Sequence, residues 1–396
     1  MLKQFSLPAL YMGLLAAFVG YSSSFAIILA GLTAVGATDG QAVTGLFFST
    51  LGMGLCSVWF ALSTRTPAAV AWSTPGAAFF AAGTIPAAGF PEVVGAMIAC
   101  AVLIILTGLV PLLGRAVAAI PKPIANAILA GVLLKLCLAP ALALGEIPLL
   151  FLPVLAAWLV GMLVSRLAAM PFAVVAFAAV LAFAVEPTGP LATGPTSLLP
   201  DLEPIVPALS VQTMFSLALP LFLVTMAGQN IPGFAVLELH RYPVNRPRLL
   251  QRTGLMSLLI APFGALPVNM SAITAAMMAG EDAGRDPAVR YWAAVVSGLG
   301  YVSLAFGAVL VGVLASRSPP LLITGVAGLA LIPAFVSALS AAFSDAEQRE
   351  APALTFLIAA SGMTLLGVDG AFWGIVVGAV VWIAKSTATR RTPKTD

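Results

Sequence analysis

Long apolar runs alternate with short polar or Pro/Gly-rich breaks along the whole chain. A helix that crosses a bilayer needs roughly 20 mainly apolar residues. Runs of about that character cover 7–33, 42–62, 93–114, 122–139, 148–165, 170–186, 211–230, 250–264, 289–315, 319–342, 351–367 and 370–385, which predicts twelve ordinary helices. Two further apolar stretches, 68–83 and 265–280, are too short and too broken for a plain helix. Counted as crossings, they raise the total to fourteen. The first run is too long for the apolar core of a signal peptide and reads as a first transmembrane helix.

The basic residues choose between the two totals. With the N-terminus inside, fourteen crossings place sixteen of the eighteen Lys and Arg residues on the cytoplasmic side, leaving Arg317 outside and Lys135 within a helix. The external loops then hold Asp39, Glu92, Glu146, Glu186, Asp201, Glu203 and Asp369. Twelve crossings would turn the Arg241–Arg252 cluster outward, against the positive-inside bias. Fourteen is the expectation, with both termini cytoplasmic.

Composition agrees with a chain embedded in lipid. Hydrophobic residues make up 61%, charged residues only 8%, and the mean hydropathy is +1.07. A soluble domain carries about 25% charged residues, so there is too little polar surface here to clothe one. A nucleic-acid binder, a disulfide-stapled secreted scaffold and a cytosolic enzyme are excluded. Cys56, Cys100 and Cys137 lie far apart in apolar runs, and the single histidine, His240, sits in a basic loop. No metal-ligand spacing and no cofactor motif is present.

Offsetting the sequence by 197 residues aligns Thr74 with Ser271, Gly83 with Gly280, Pro123 with Pro320 and Gly131 with Gly328. The first two pairs bracket the broken segments. A seven-crossing unit repeated once is necessarily inverted, and inverted repeats with paired broken helices are the usual build of secondary transporters. The repeats are expected at 1–190 and 205–396. In the first broken segment, extended chain ends at Ser73 or Thr74, N-cap residue types, with Pro75 at the first helical position. In the second, Asn269 or Ser271 caps a half-helix running to Gly280. Two half-helix N-termini meeting near the midplane would offer free N–H groups and positive dipole ends to an anion.

The motifs Ala71-Trp72-Ser73-Thr74-Pro75-Gly76, Val224-Thr225-Met226-Ala227-Gly228-Gln229-Asn230-Ile231-Pro232-Gly233, and Ile120-Pro121-Lys122-Pro123 with Leu129-Ala130-Gly131-Val132-Leu133-Leu134 resemble the BenE family of bacterial benzoate/proton symporters. That family is similar in fold to nucleobase/ascorbate and sulfate/bicarbonate transporters. The resemblance implies an all-helical fold of seven plus seven segments, with segments 3 and 10 broken. It also implies a core domain (about 7–115 and 211–315) working against a gate domain (about 120–190 and 318–390). It implies uptake of a small aromatic carboxylate with a proton across the bacterial inner membrane, and often a homodimer. One departure matters. Nucleobase relatives carry carboxylates just after the Val224–Ala227 motif and in the second broken segment, where this chain has Gly228 and the uncharged run Asn269–Met278. A site without its own acid suits a substrate that brings one.

The candidate site therefore joins four stretches. Tyr21, Ser22, Ser23, Ser24 and Phe25 interrupt the first helix at mid-depth. Ser73, Thr74, Pro75 and Gly76 open the first half-helix, and Asn269, Met270 and Ser271 the second. Gly228, Gln229 and Asn230 are expected to end the eighth crossing beside the breaker Pro232-Gly233. Lys135 is expected to snorkel to the outer interface toward Glu146, with a gating or substrate-attracting role as the alternative, and Glu281, Asp282, Arg285, Asp286 and Arg290 to pair in a solvated loop, with intracellular gating as the alternative. An anion exchanger, a channel or a nucleobase-type transporter on the same fold is the alternative function. An enzyme is disfavoured by the absence of any nucleophile or metal motif.

Overall fold

The computed structural model describes residues 6–184, 199–200, 202–316, 318–345, 348–365 and 368–391. Glu186, Asp201 and Arg317, three of the residues used to orient the loops, lie outside the described residues. The described chain is mostly helical, and a helix stands at each of the twelve predicted runs. Among the described residues, six helices are long and apolar enough to cross a membrane: Leu7–Ala34, Asp39–Thr64, Phe90–Leu109, Lys122–Glu146, Val211–Leu239 and Pro320–Ala342. A seventh candidate, Pro287–Ala305 with Ala308–Ala315, is bent by 54° between its parts. Shorter apolar helices occupy Pro148–Val164, Ala169–Phe183 and Glu350–Ala360, and the last helix runs from Gly370 to Arg391.

Local chemistry sets the helix ends. Ser6 caps the first helix by accepting from Ala9 N, and Thr38 and Gln41 form a reciprocal capping box at the start of Asp39–Thr64. The break expected in the first helix falls at Ser23–Ser24, between Leu7–Ser22 and Phe25–Ala34. There the hydroxyls of Ser23 and Ser24 both donate to Gly20 O, at 3.2 and 3.1 Å, and so compete with the helical ladder.

Burial follows the lipid rule rather than the aqueous one. Trp72, Phe60, Phe80, Tyr301 and Phe151 are packed in the interior, while Leu149, Leu163 and Phe183 are 89%, 88% and 91% exposed on the outside. Apolar surface on that scale belongs against hydrocarbon chains.

The two broken segments meet at the centre. Strand β1 (Val70–Trp72) pairs antiparallel with β2 (Val268–Met270), with Ala71 opposite Asn269. The pairing is extended at both ends by Ser73 N to Pro267 O (2.9 Å) and Ser271 N to Ala69 O (3.0 Å). The outer edges of so short a ribbon would be unpaired in lipid, where each orphan group is costly. Two buried serines close them. Ser57 Oγ accepts from Val70 N (3.1 Å) and donates to Val70 O (3.3 Å). Ser257 Oγ likewise accepts from Val268 N (2.9 Å), with its one proton shared between Thr253 O (2.7 Å) and Val268 O (3.2 Å).

Candidate functional site

Each strand turns directly into a short helix: Thr74–Ala82 after β1, and Ala272–Ala279 after β2. Ser73 is the N-cap of the first, its Oγ accepting from Gly76 N at 3.1 Å. Thr74 is thus the first helical residue and Pro75 the second, a shift of one from the sequence expectation. Ser271 caps the second half-helix, accepting from Thr274 N (3.4 Å) and Thr274 Oγ1 (2.8 Å). Asn269 instead lies within β2.

The helix Val211–Leu239 passes both N-termini. The expectation that it stops at Gln229–Asn230 is corrected: it continues to Leu239 through a π-helical turn, Met226–Asn230, in which Ile231 N bonds to Met226 O. The wider turn absorbs Pro232, which has no N–H to give. On this helix, Gly228 faces the first terminus and Gly233 the second. A Cβ on Gly228 would lie 2.9 Å from Pro75 Cγ, and one on Gly233 would lie 2.6 Å from Met270 Cβ. Glycine is needed for approaches this close.

The buried polar side chains serve the unwound backbone. Asn230, fully buried, accepts from Met270 N at 3.0 Å and donates to Met226 Sδ at 3.3 Å. Asn269, with its carboxamide turned to match its neighbours, accepts from Ser73 N at 3.1 Å and donates to Met270 O at 3.0 Å. Thr225 Oγ1 and Ser73 Oγ are 2.7 Å apart, tying the long helix to the first cap. Sequence reasoning missed Thr225 as a contact, although it stands four residues before Gln229 in the quoted motif. It also missed Trp72, whose Nε1 donates to Ser24 Oγ at 2.9 Å and pins the first-helix break to β1.

What remains available to a ligand is a small set. Thr74, Gly228, Gln229 and Ala272 are only half-buried. The helix offers no acceptor to the Thr74 and Ala272 N–H groups. Gln229 has no side-chain hydrogen-bond partner among the described residues. Tyr21, 7% exposed, keeps its hydroxyl unpaired while its ring stacks on Phe25 (centroids 5.9 Å apart) and tilts against Trp72 (5.5 Å). Ser22 and Ser23 turn their hydroxyls back to carbonyls of their own helix. Among the described residues, no group of three or more His, Cys, Asp or Glu side chains could hold a metal. Polarity without fixed charge, beside aromatic rings, can receive a small anion with an apolar body.

Two peripheral expectations are corrected. Lys135 is exposed, as a snorkelling side chain is, but donates to Ala82 O at 3.5 Å rather than reaching Glu146. Arg290 leaves the solvated cluster, is 6% exposed, and donates to three backbone carbonyls.

Comparison with known proteins places this geometry. The chain is 36% identical over 378 residues to Inner membrane protein YdcO of Escherichia coli (strain K12), covering 95% of each. It is 30% identical over 385 residues to the Benzoate membrane transport protein of Acinetobacter baylyi, covering 96% of each. Among solved structures, it matches the transmembrane domain of a cyanobacterial bicarbonate transporter, BicA, with a TM-score of 0.60 and 15% identity over 98% of both chains. It matches SLC26A9 with a TM-score of 0.65 and 13% identity over 98% of this chain and 66% of that one. At such identities the structural likeness speaks for the fold alone. The family model for the benzoate membrane transport protein spans residues 3–383. With a match over that much of its length, the chain belongs to this family of membrane transporters, which are not enzymes.

Proposed function

We propose that the chain is a secondary transporter that takes up benzoate, or a similar small aromatic carboxylate, together with a proton across the bacterial inner membrane. The observation that carries this reading is the convergence of two serine-capped half-helix N-termini, paired through β1 and β2, on a region without a side-chain carboxylate among the described residues. Each terminus supplies the equivalent of roughly half a positive charge. The carboxylate would lie between them, with Gln229 and Tyr21 as side-chain donors and Phe25 and Trp72 beside the ring. The relative named as a benzoate transport protein supports the substrate.

The same reading takes the chain as fourteen segments in two inverted repeats, with both termini cytoplasmic. The core (about 7–115 and 211–315) carries the half-helices and moves against the gate (about 120–190 and 318–390), by an elevator or rocking motion, within a homodimer. Counterflow of labelled benzoate in proteoliposomes tests the function. Accumulation should rise with an inward proton gradient. The lack of an acid at the site favours one competitor, gradient-independent anion exchange, and accumulation that ignores the gradient would establish it instead.

A further inference from the structure

The two half-helices are finished by different means. The second ends at Ala279, whose carbonyl accepts a 2.6 Å bond from Arg290 Nη1. The same guanidinium holds Gly284 O at 2.7 Å through Nε. Arg290 lies only eleven residues further along, so this cap travels with its half-helix. The first half-helix ends at Ala82, offset from Ala279 by the same 197 residues. Its carbonyl accepts from Lys135 Nζ at 3.5 Å, and Lys135 is 53 residues away on the helix Lys122–Cys137. That helix belongs to the other body, the gate.

A cation at a helix C-terminus meets the negative end of the dipole and is favoured there. A half-helix of nine residues is a rod about 13 Å long, with the candidate carboxylate site at one end and the lysine at the other. Lys135, Phe79, Ala82, Val132, Ala360 and Asp369 line a cavity of about 20 Å³ between the two bodies, room for about one water. Asp369 accepts from Ala371 N at 2.8 Å. Burial pushes its carboxyl up, against the pull of that N–H and of the Lys135 charge. It stands on the same body as Lys135 and offers the ammonium a partner whenever Ala82 is withdrawn.

We propose that Lys135 is a positioning residue for transport: it caps the first half-helix from across the boundary between core and gate, holds this arrangement closed, and must release Ala82 for the core to move. The proposal rests on the core-against-gate reading above.

The test uses the full chain in proteoliposomes with Cys137→Ser, since Cys56 and Cys100 are fully buried. Ala360→Cys, in the cavity, is the reporter, and an impermeant maleimide is applied without substrate. Lys135→Met should raise the labelling rate about two- to fivefold, the range a cation at a helix end provides, and Lys135→Arg should restore it. Asp369→Asn removes the alternative partner and should slow labelling, which decides the matter even where Lys135→Met does not fold. Unchanged labelling in both Lys135→Met and Asp369→Asn overturns the proposal. So does loss of benzoate binding in Lys135→Met with labelling unchanged, because the lysine would then hold the substrate itself. A wild-type chain that binds no benzoate would count against the proposed substrate, and the labelling would still decide the role of Lys135.

Discussion

Replacing Gly228 tests whether dipoles and amides, rather than a fixed cation, receive the anion. The missing Cβ of Gly228 points at the first half-helix, 2.9 Å from Pro75 Cγ and 3.4 Å from Leu129 Cδ2. Any side chain here displaces the Pro75 ring, so steric effects must be separated from charge. Gly228→Gln and Gly228→Glu have nearly the same shape and differ by one negative charge. Two carboxylates about 5 Å apart, at an effective dielectric constant of about 20, repel by roughly 3 kcal/mol. That corresponds to about a 200-fold difference in Kd. Binding of labelled benzoate to purified protein should therefore be about 200-fold weaker in the glutamate variant than in the glutamine variant near neutral pH. The gap should close as the pH falls and the new carboxyl protonates, since the repulsion exists only while it is ionised. Equal affinities for the two variants near neutral pH would mean that the anion binds elsewhere, and the site described above would be wrong.

Ser73→Ala removes the cap on Gly76 N and strands the buried Thr225 hydroxyl, so it should cost about 2–4 kcal/mol in unfolding free energy. Thr74→Val, one residue further on, should change that stability by less than about 1 kcal/mol, and a reversed order would place the cap at Thr74. Gln229→Ala should weaken benzoate binding by about 1–3 kcal/mol with little change in melting temperature. Asn230→Ala should lower the melting temperature, because it leaves Met270 N unpaired. Identical behaviour of the two variants would contradict the division between ligand-facing and backbone-holding amides.

Much of this was legible in the sequence, for physical reasons. Membrane-length apolar runs announce themselves by composition, and a helix stands at every one. Ser73-Thr74-Pro75 and Ser271 signalled the half-helix starts because caps and early prolines act locally. What the sequence did not carry was non-local. Pro232-Gly233 reads as a stop, yet a π turn and tight packing on Met270 let the helix continue. Ser57 and Ser257 carry no signal in the sequence, and only the pairing of β1 with β2 shows that each closes a ribbon edge. Lys135 is exposed, as a snorkelling side chain should be, but no sequence rule places it beside Ala82, 53 residues away.

The distribution of polar groups bears on which anions fit. Ser57, Ser257, Asn230 and Asn269 are consumed by the two strands, as an extended chain in a low-dielectric interior requires. Little besides neutral donors and two helix termini is left for the ligand. Together the termini approximate one positive charge, enough for one carboxylate and short of two. A second negative charge on the ring would remain uncompensated, and burying it would cost several kcal/mol. A neutral aromatic amide would forgo most of the gain from the termini. Monocarboxylates should therefore displace labelled benzoate, while benzamide and the dianion phthalate should fail at comparable concentrations. Displacement by phthalate as effective as by benzoate would require a further cation at the site, and Lys135 would be the first residue to examine.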